Sequence, residues 1–300
     1  MNRLLVLLLL LIAPLGAHAL DVFACEPEWA SLVRELAGDN ANITIATTAF
    51  QDPHQLQAKP SLIAATRRAD LLVCTGADLE IGWLPLLLRR AGNPDIQPGR
   101  PGYFMAADYV RKLEIPALID RSQGDIHPQG NPHIHLNPNN ISRIAEKLAE
   151  RLSALDRANE NEYVRRLQDF QKRWETAIMD WEKRGENLRG LRLASHHRAF
   201  SYLADWLDLN IVATLERMPG IPPSASHLAS LLETLSPNPP AAVVRTPYAN
   251  EKPSLWLTDR LDVRAIRLPY TVDEADEPVD LFALFDMTLA ALEDLNNERL

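Results

Sequence analysis

Between Asn140 and Leu188 the chain runs for almost fifty residues without a proline and with a single glycine, Gly185. Apolar side chains recur there at helical spacing: Ile141, Ile144, Leu148, Leu152 and Leu155, then Tyr163, Leu167, Phe170, Trp174, Ile178 and Trp181. A repeat of three to four residues gathers these on one stripe of a helix, the stripe that must be buried. The polar patch "DRANEN" interrupts the stripe, so the spacing predicts one helix followed by a much longer one. A helix of about thirty residues spans roughly 45 Å at 1.5 Å per residue. That is longer than a small domain needs, and such an element is expected to bridge two of them.

On both sides of this stretch the pattern changes to alternating strands and helices. Before it, "LDVFAC", "NITIATTAF" and "DLLVCTG" read as strands, and "PEWASLVRELAG", "PSLIAATRRA" and "LEIGWLPLLLRRAG" as helices. After it, "LRLASHH", "NIVATLE", "PAAVVRTPY" and "VRAIRLPY" read as strands, with "AFSYLADWLDL", "PSASHLASLLETL" and the closing "PVDLFALFDMTLAALEDL" as helices. Strand-helix repetition means a parallel sheet covered on both faces, with ligands gathering at the carboxyl ends of its strands. The expected fold is α/β: two lobes, each a parallel β-sheet flanked by helices, joined by a long helix. Three hundred residues at 46% hydrophobic content suffice for two such cores. The expected divisions are 20–138, 139–189 and 190–300, after a leader at 1–19.

That leader, "MNRLLVLLLLLIAPLGAHA", carries one Arg, an apolar run and an Ala-His-Ala ending, the pattern of a signal peptide cleaved near Ala19. It implies export and takes His18 with it. Lipid attachment at Cys25 is the weaker alternative, because Asp21 interrupts the apolar approach. Without the leader the chain holds 30 basic and 40 acidic residues, a net charge of −10. That balance argues against nucleic acid or an anionic membrane as partner and suits a protein that attracts cations. The two cysteines, Cys25 and Cys74, each end a short apolar strand. If those strands are neighbours, a disulfide is favoured in an oxidising compartment; a thiolate metal site is the rival reading.

Histidines and acids collect at strand-to-loop junctions. His54 lies in "FQDPHQLQAKPS", His127, His133 and His135 in "GDIHPQGNPHIHLNP", and His196 and His197 in "RLASHHRAFSYL". Four acids occupy "LPYTVDEADEP", among them Asp273 and Glu274. "HIH" fits a strand end or an extended loop with both imidazoles on one side. Singly, each histidine reads as a cap or surface group, the acidic loop as solvated, and His227 as structural within its helix. Together, three neutral imidazoles with a carboxylate or water make a tetrahedral set suited to Zn²⁺, whereas Mn²⁺ calls for more oxygen ligands.

With "QDPHQLQAKPSLIAATRRADLLVCTGADLEIGWLP", "GNPHIHLNP" and "HHRAFSYLA" in this order, the chain resembles the periplasmic metal-binding receptors of zinc and manganese ABC transporters, the cluster A-I solute-binding proteins. The resemblance covers almost the whole chain after the leader. It implies two α/β lobes on one rigid helix with the ion in the cleft between them. It implies His54, His133 and His197 as metal ligands, with Asp273 as fourth and Glu274 as second choice. It leaves His127, His135 and His196 as auxiliary groups. The implied cargo is Zn²⁺, or alternatively Mn²⁺, and the implied partner a membrane permease, with a periplasmic metallochaperone as a further candidate and a monomeric state. The long His-rich loop of many zinc receptors is missing here, which removes the usual marker for zinc. Two other readings compete: a zinc hydrolase, disfavoured because no HExxH or other compact motif is present, and an adhesin with incidental histidines.

Overall fold

In a computed structural model, residues 19–117, 127–217, 220–273 and 279–297 are described. The first sheet holds β1 (Leu20–Ala24), β2 (Ala41–Ile45), β3 (Leu71–Cys74) and β4 (Tyr103–Met105). The second holds β5 (Arg192–Ser195), β6 (Asn210–Thr214), β7 (Ala242–Arg245) and β8 (Arg264–Arg267). Both are parallel throughout and share one plan, β2-β1-β3-β4 and β6-β5-β7-β8. In each the chain steps outward from its first strand, returns past it and continues, so the strand order reverses beside β1 and beside β5. The crevice beyond the carboxyl ends of the strands at such a reversal is where open α/β sheets place ligands.

Helices cover the sheets: α1 (Pro27–Ala37), α2 (Pro60–Arg68) and α3 (Leu84–Ala91) in the first lobe, and α6 (Ser201–Leu207), α7 (Ala225–Leu235), α8 (Lys252–Leu261) and α9 (Leu281–Asn297) in the second. Between the lobes run α4 (Pro138–Leu155) and α5 (Glu160–Gly185). Asn137 starts α4 by accepting the Asn139 amide at 2.9 Å, with Pro138 in the first turn, where its missing N–H costs nothing. The expected break is the turn at Arg157–Asn159. The following helix has 26 residues, about 39 Å of axis.

The apolar stripe on α5 packs into one continuous core that runs from β1 through α4 and α5 to α9. Trp174 stands 5.0 Å from Trp181 and 4.7 Å from Phe282 of α9, centroid to centroid, mostly edge to face. Arg173 pairs with Glu35 of α1, and Arg184 with Glu293 of α9, so this helix is tied to both lobes. Cys25 and Cys74 form a disulfide with their Cα atoms 4.8 Å apart. Its cause is local: β1 and β3 are neighbours, and the Cys25 amide donates to the Val73 carbonyl at 2.9 Å.

Three sequence expectations are corrected. "HIH" is no strand: Ile134–Leu136 form a turn of 3₁₀ helix, so the two rings leave the backbone differently. The helix expected from Leu79 begins only at Leu84, because residues before it turn around Gly76 and Pro85 falls in its first turn. The first sheet also has a fourth strand, β4, too short at three residues to show a period in sequence. Among the described residues no helix is long and apolar enough to cross a membrane. Residues 1–18 of the leader and Glu274 lie outside the described residues.

Candidate metal centre

His54 enters from the segment that leaves β2. Trp83, almost fully buried, donates its indole N–H to the Pro53 carbonyl at 2.9 Å and fixes that turn from below. Asp52 caps the turn, accepting the His54 amide at 3.0 Å, and with the same oxygen meets His54 Nδ1 at 2.7 Å. Burial alone would raise the Asp52 carboxyl, but its bonds to His54 hold it below the usual range.

His133 follows a glycine-dependent turn. Gly130 has φ +102°, and a Cβ there would fall 2.8 Å from the Leu113 carbonyl oxygen. Asn131 then accepts the His133 amide at 2.9 Å and donates to the Arg198 carbonyl at 2.8 Å, at the entrance to α6 of the other lobe. This one side chain therefore fixes the segment of His133 relative to that of His197. His133 is 1% exposed, and its Nδ1 lies 2.8 Å from the Tyr270 hydroxyl. Burial first, then the neighbouring imidazoles of His197 and His54, push its pKa well below the ordinary value.

His197 sits just past β5. The Glu216 amide donates to the His196 carbonyl at 2.9 Å as the β6 segment leaves its strand, and this places the Glu216 carboxylate 2.8 Å from His197 Nδ1. A carboxylate only accepts, so His54 and His197 each keep their proton on Nδ1 and turn an Nε2 lone pair outward. Those nitrogens converge with the Nε2 of His133. The three histidines offer ligand atoms that all lie within 4.8 Å of one another, and His133 Nε2 is 3.1 Å from His197 Nε2. Zn–N bonds of 2.0–2.1 Å in a tetrahedron put the nitrogens about 3.3 Å apart. Two lone pairs facing at that distance need a proton or a cation between them, so the donor set fits a metal ion.

The other candidate residues divide. His127 Nε2 lies 3.2 Å from His54 Nε2 but does not join the group that includes His133 and His197; burial, then the charges of His54 and His197, push its pKa down to about 3. His135 turns away, its Nε2 on the Tyr270 carbonyl at 2.8 Å. His196 faces Ser254 at 3.3 Å and Glu216 at 3.7 Å. Asp273 is half-buried and falls outside the 4.8 Å group. Three contributors went unnoticed in sequence: Asp52, Glu216 and Tyr270. Asp52 had a signal, standing two residues before a candidate ligand in "DPH"; Glu216 and Tyr270 are brought in by strands distant in the chain. A cleft lined by Asp52, His54, His197, Glu216 and Pro222 leads from this group to the surface.

A family model described as "ZnuA: Zinc-uptake complex component A periplasmic" matches residues 22–295. The chain belongs to this family. Among curated relatives of this ZnuA-family chain, the zinc-binding lipoprotein AdcA of Streptococcus pneumoniae (strain ATCC BAA-255 / R6) is 25% identical over 251 residues, 77% of this chain and 45% of its own. The metal ABC transporter substrate-binding lipoprotein ScbA of Streptococcus cristatus is 26% identical over 178 residues, 58% of this chain and 54% of its own. The manganese ABC transporter substrate-binding lipoprotein PsaA of Streptococcus pneumoniae serotype 4 is 27% identical over 158 residues, 52% of this chain and 48% of its own. The chain thus spans about half the length of the curated relatives it matches. In fold it is similar to a crystal structure of ZnuA, with TM-score 0.78 and 21% identity over 93% of this chain and 99% of that one. It is likewise similar to a manganese-bound periplasmic metal-binding protein from Candidatus Liberibacter asiaticus, with TM-score 0.74 and 16% identity over 92% and 98%.

Proposed function

We propose that this protein is an exported, periplasmic, high-affinity receptor that captures Zn²⁺ and delivers it to the membrane permease of an ABC transporter for import. The observation that carries this reading is the convergence of His54, His133 and His197 from two lobes onto one point, with Nδ1 of two of them on carboxylates and the third on a phenol. In this reading the units are 20–138, 139–189 and 190–300, and ligands from both lobes let the cleft hold or release the ion as the lobes separate. Asp273 is the proposed fourth ligand, with Glu274 as second choice and His127 as an auxiliary group.

Zinc is favoured over manganese on donor chemistry. Three imidazole nitrogens suit Zn²⁺, whereas Mn²⁺ prefers oxygen, and Asp52 and Glu216, carboxylates beside the triad among the described residues, each hold an imidazole Nδ1 through one oxygen. Binding is favoured over catalysis because the chain belongs to a zinc-uptake family and carries no compact hydrolase motif. Manganese remains the second reading because relatives of both kinds match.

The test is metal content and affinity of the protein beside His54→Ala, His133→Ala and His197→Ala, titrated with Zn²⁺ and Mn²⁺. One tight zinc per chain, lost or greatly weakened in each variant, is the expected result. Zinc binding that survives all three changes would overturn the ligand set, and tighter manganese than zinc would overturn the cargo.

A further inference from the structure

We infer that Glu28 is a positioning residue for the metal centre: from α1 of the first lobe it holds the Tyr270–Thr271 segment of the second lobe where the Tyr270 hydroxyl meets His133. The inference rests on the receptor reading above. Glu28 and His135 are 0% exposed, and Tyr270 and Thr271 each 3%. One oxygen of the Glu28 carboxylate accepts the Thr271 hydroxyl, and the other faces His135 Nδ1 at 3.2 Å. The opposite nitrogen of that ring, Nε2, meets the Tyr270 carbonyl at 2.8 Å. A carbonyl only accepts, so His135 Nε2 carries a proton. Nδ1 and the carboxylate oxygen that faces it make no hydrogen bond, so the pair is held by packing and by the bonds on its outer sides, Thr271 to Glu28 and His135 Nε2 to the Tyr270 carbonyl.

Tyr270 therefore works in two directions. Its backbone is held on the Glu28 side, and the His135 ring packs edge-on against its own at 5.0 Å. Its hydroxyl lies 2.8 Å from His133 Nδ1. Glu28 itself is fixed at the start of α1, one residue before Trp29, whose indole N–H donates to Thr75 at 2.8 Å. A carboxylate fully removed from water is retained at high cost unless every partner is in place. Here the Thr271 hydroxyl, from the segment that carries Tyr270, is a hydrogen-bond partner, and His135, from the turn that carries His133, lies against the other oxygen without a hydrogen bond. Partners that orient a ligand's second nitrogen alter metal affinity by about 10- to 100-fold when lost, and Glu28 acts one step further back, through Tyr270.

The test compares the full chain with Glu28→Ala, Thr271→Val and Glu28→Gln, by chelator competition for Zn²⁺ and by the visible spectrum of the Co²⁺-loaded protein. The Gln amide can still accept from Thr271 and keeps the shape of the carboxylate against His135. The expected result is zinc binding on the order of 10-fold weaker in Glu28→Ala and Thr271→Val, with shifted Co²⁺ bands, and both readouts restored in Glu28→Gln. Wild-type affinity and spectrum in Glu28→Ala and Thr271→Val would overturn the inference. So would a Glu28→Ala chain that fails to fold beside a Thr271→Val chain of wild-type affinity and spectrum, since Glu28 would then serve packing alone. A wild-type chain that takes up neither metal would defeat the receptor reading itself, and this inference with it.

Discussion

Each imidazole of the triad has its Nδ1 committed before any ion arrives, to Asp52, to Glu216 and to the Tyr270 hydroxyl. This fixes the ring orientations and removes the entropy that free rotors would lose on binding. Asp52→Asn and Glu216→Gln are each expected to weaken zinc about 10- to 100-fold while leaving the fold intact, read by chelator competition; unchanged affinity would mean that packing alone orients the rings. A second residue-scale prediction concerns the buried acids Glu26 and Glu80, away from the triad. Burial, then mutual repulsion, holds Glu26 well above 4.5, and burial raises Glu80 to about 7. The folded chain keeps a proton that the unfolded chain releases above 4.5, so this contribution is full below that pH and lost as pH rises through about 7. In Glu26→Gln the amide needs no proton. The metal-free variant should therefore gain urea stability at pH 8 relative to pH 5.5, compared with wild type. An identical difference in both proteins would refute the shared proton.

At the scale of elements, the helix between the lobes is a structural beam because of its aromatic face. Trp174 is fully buried, donates its indole N–H to the Pro138 carbonyl at 2.9 Å and meets Phe170, Trp181 and Phe282. Trp174→Ala should cost about 3–5 kcal/mol in urea unfolding; a loss under 1 kcal/mol would mean the stack collapses into the gap. The helical period made this element legible beforehand, down to the break at residues 156–161. β4 was not legible, since three residues carry no period. "HIH" misled for a related reason: alternation over three residues cannot separate a strand from a 3₁₀ turn, and in the turn His133 meets the Tyr270 hydroxyl while His135 meets its backbone carbonyl.

For the whole molecule, the proposed ligands come from both lobes, so under the zinc-receptor reading zinc should bind the assembled fold and not the unfolded chain. At about 1,000 times Kd it should add on the order of 4 kcal/mol of stability, seen as a rise in thermal midpoint that EDTA reverses. Metal binds neutral imidazoles, so affinity should fall on acidification. Because burial holds His133 neutral well below the ordinary imidazole range, its protonation should release zinc only in strongly acid buffer, and affinity unchanged through an acid titration would contradict a histidine site. Both expectations belong to the assembled lobes, because neither half contains the full set.

The sequence by itself determined the two α/β halves and the long helix, because periodicity and strand ends are local properties of the chain. It left the disulfide conditional on two strands lying side by side, and the choice of His54, His133 and His197 came from the family resemblance. Only the tertiary structure decided what stands behind those histidines. Glu216 reaches His197 because β6 lies beside β5, and Tyr270 reaches His133 across 137 positions of chain because the second lobe folds back over the first. Contacts of that kind depend on how two sheets and a helix pack, and no spacing rule along one strand encodes them.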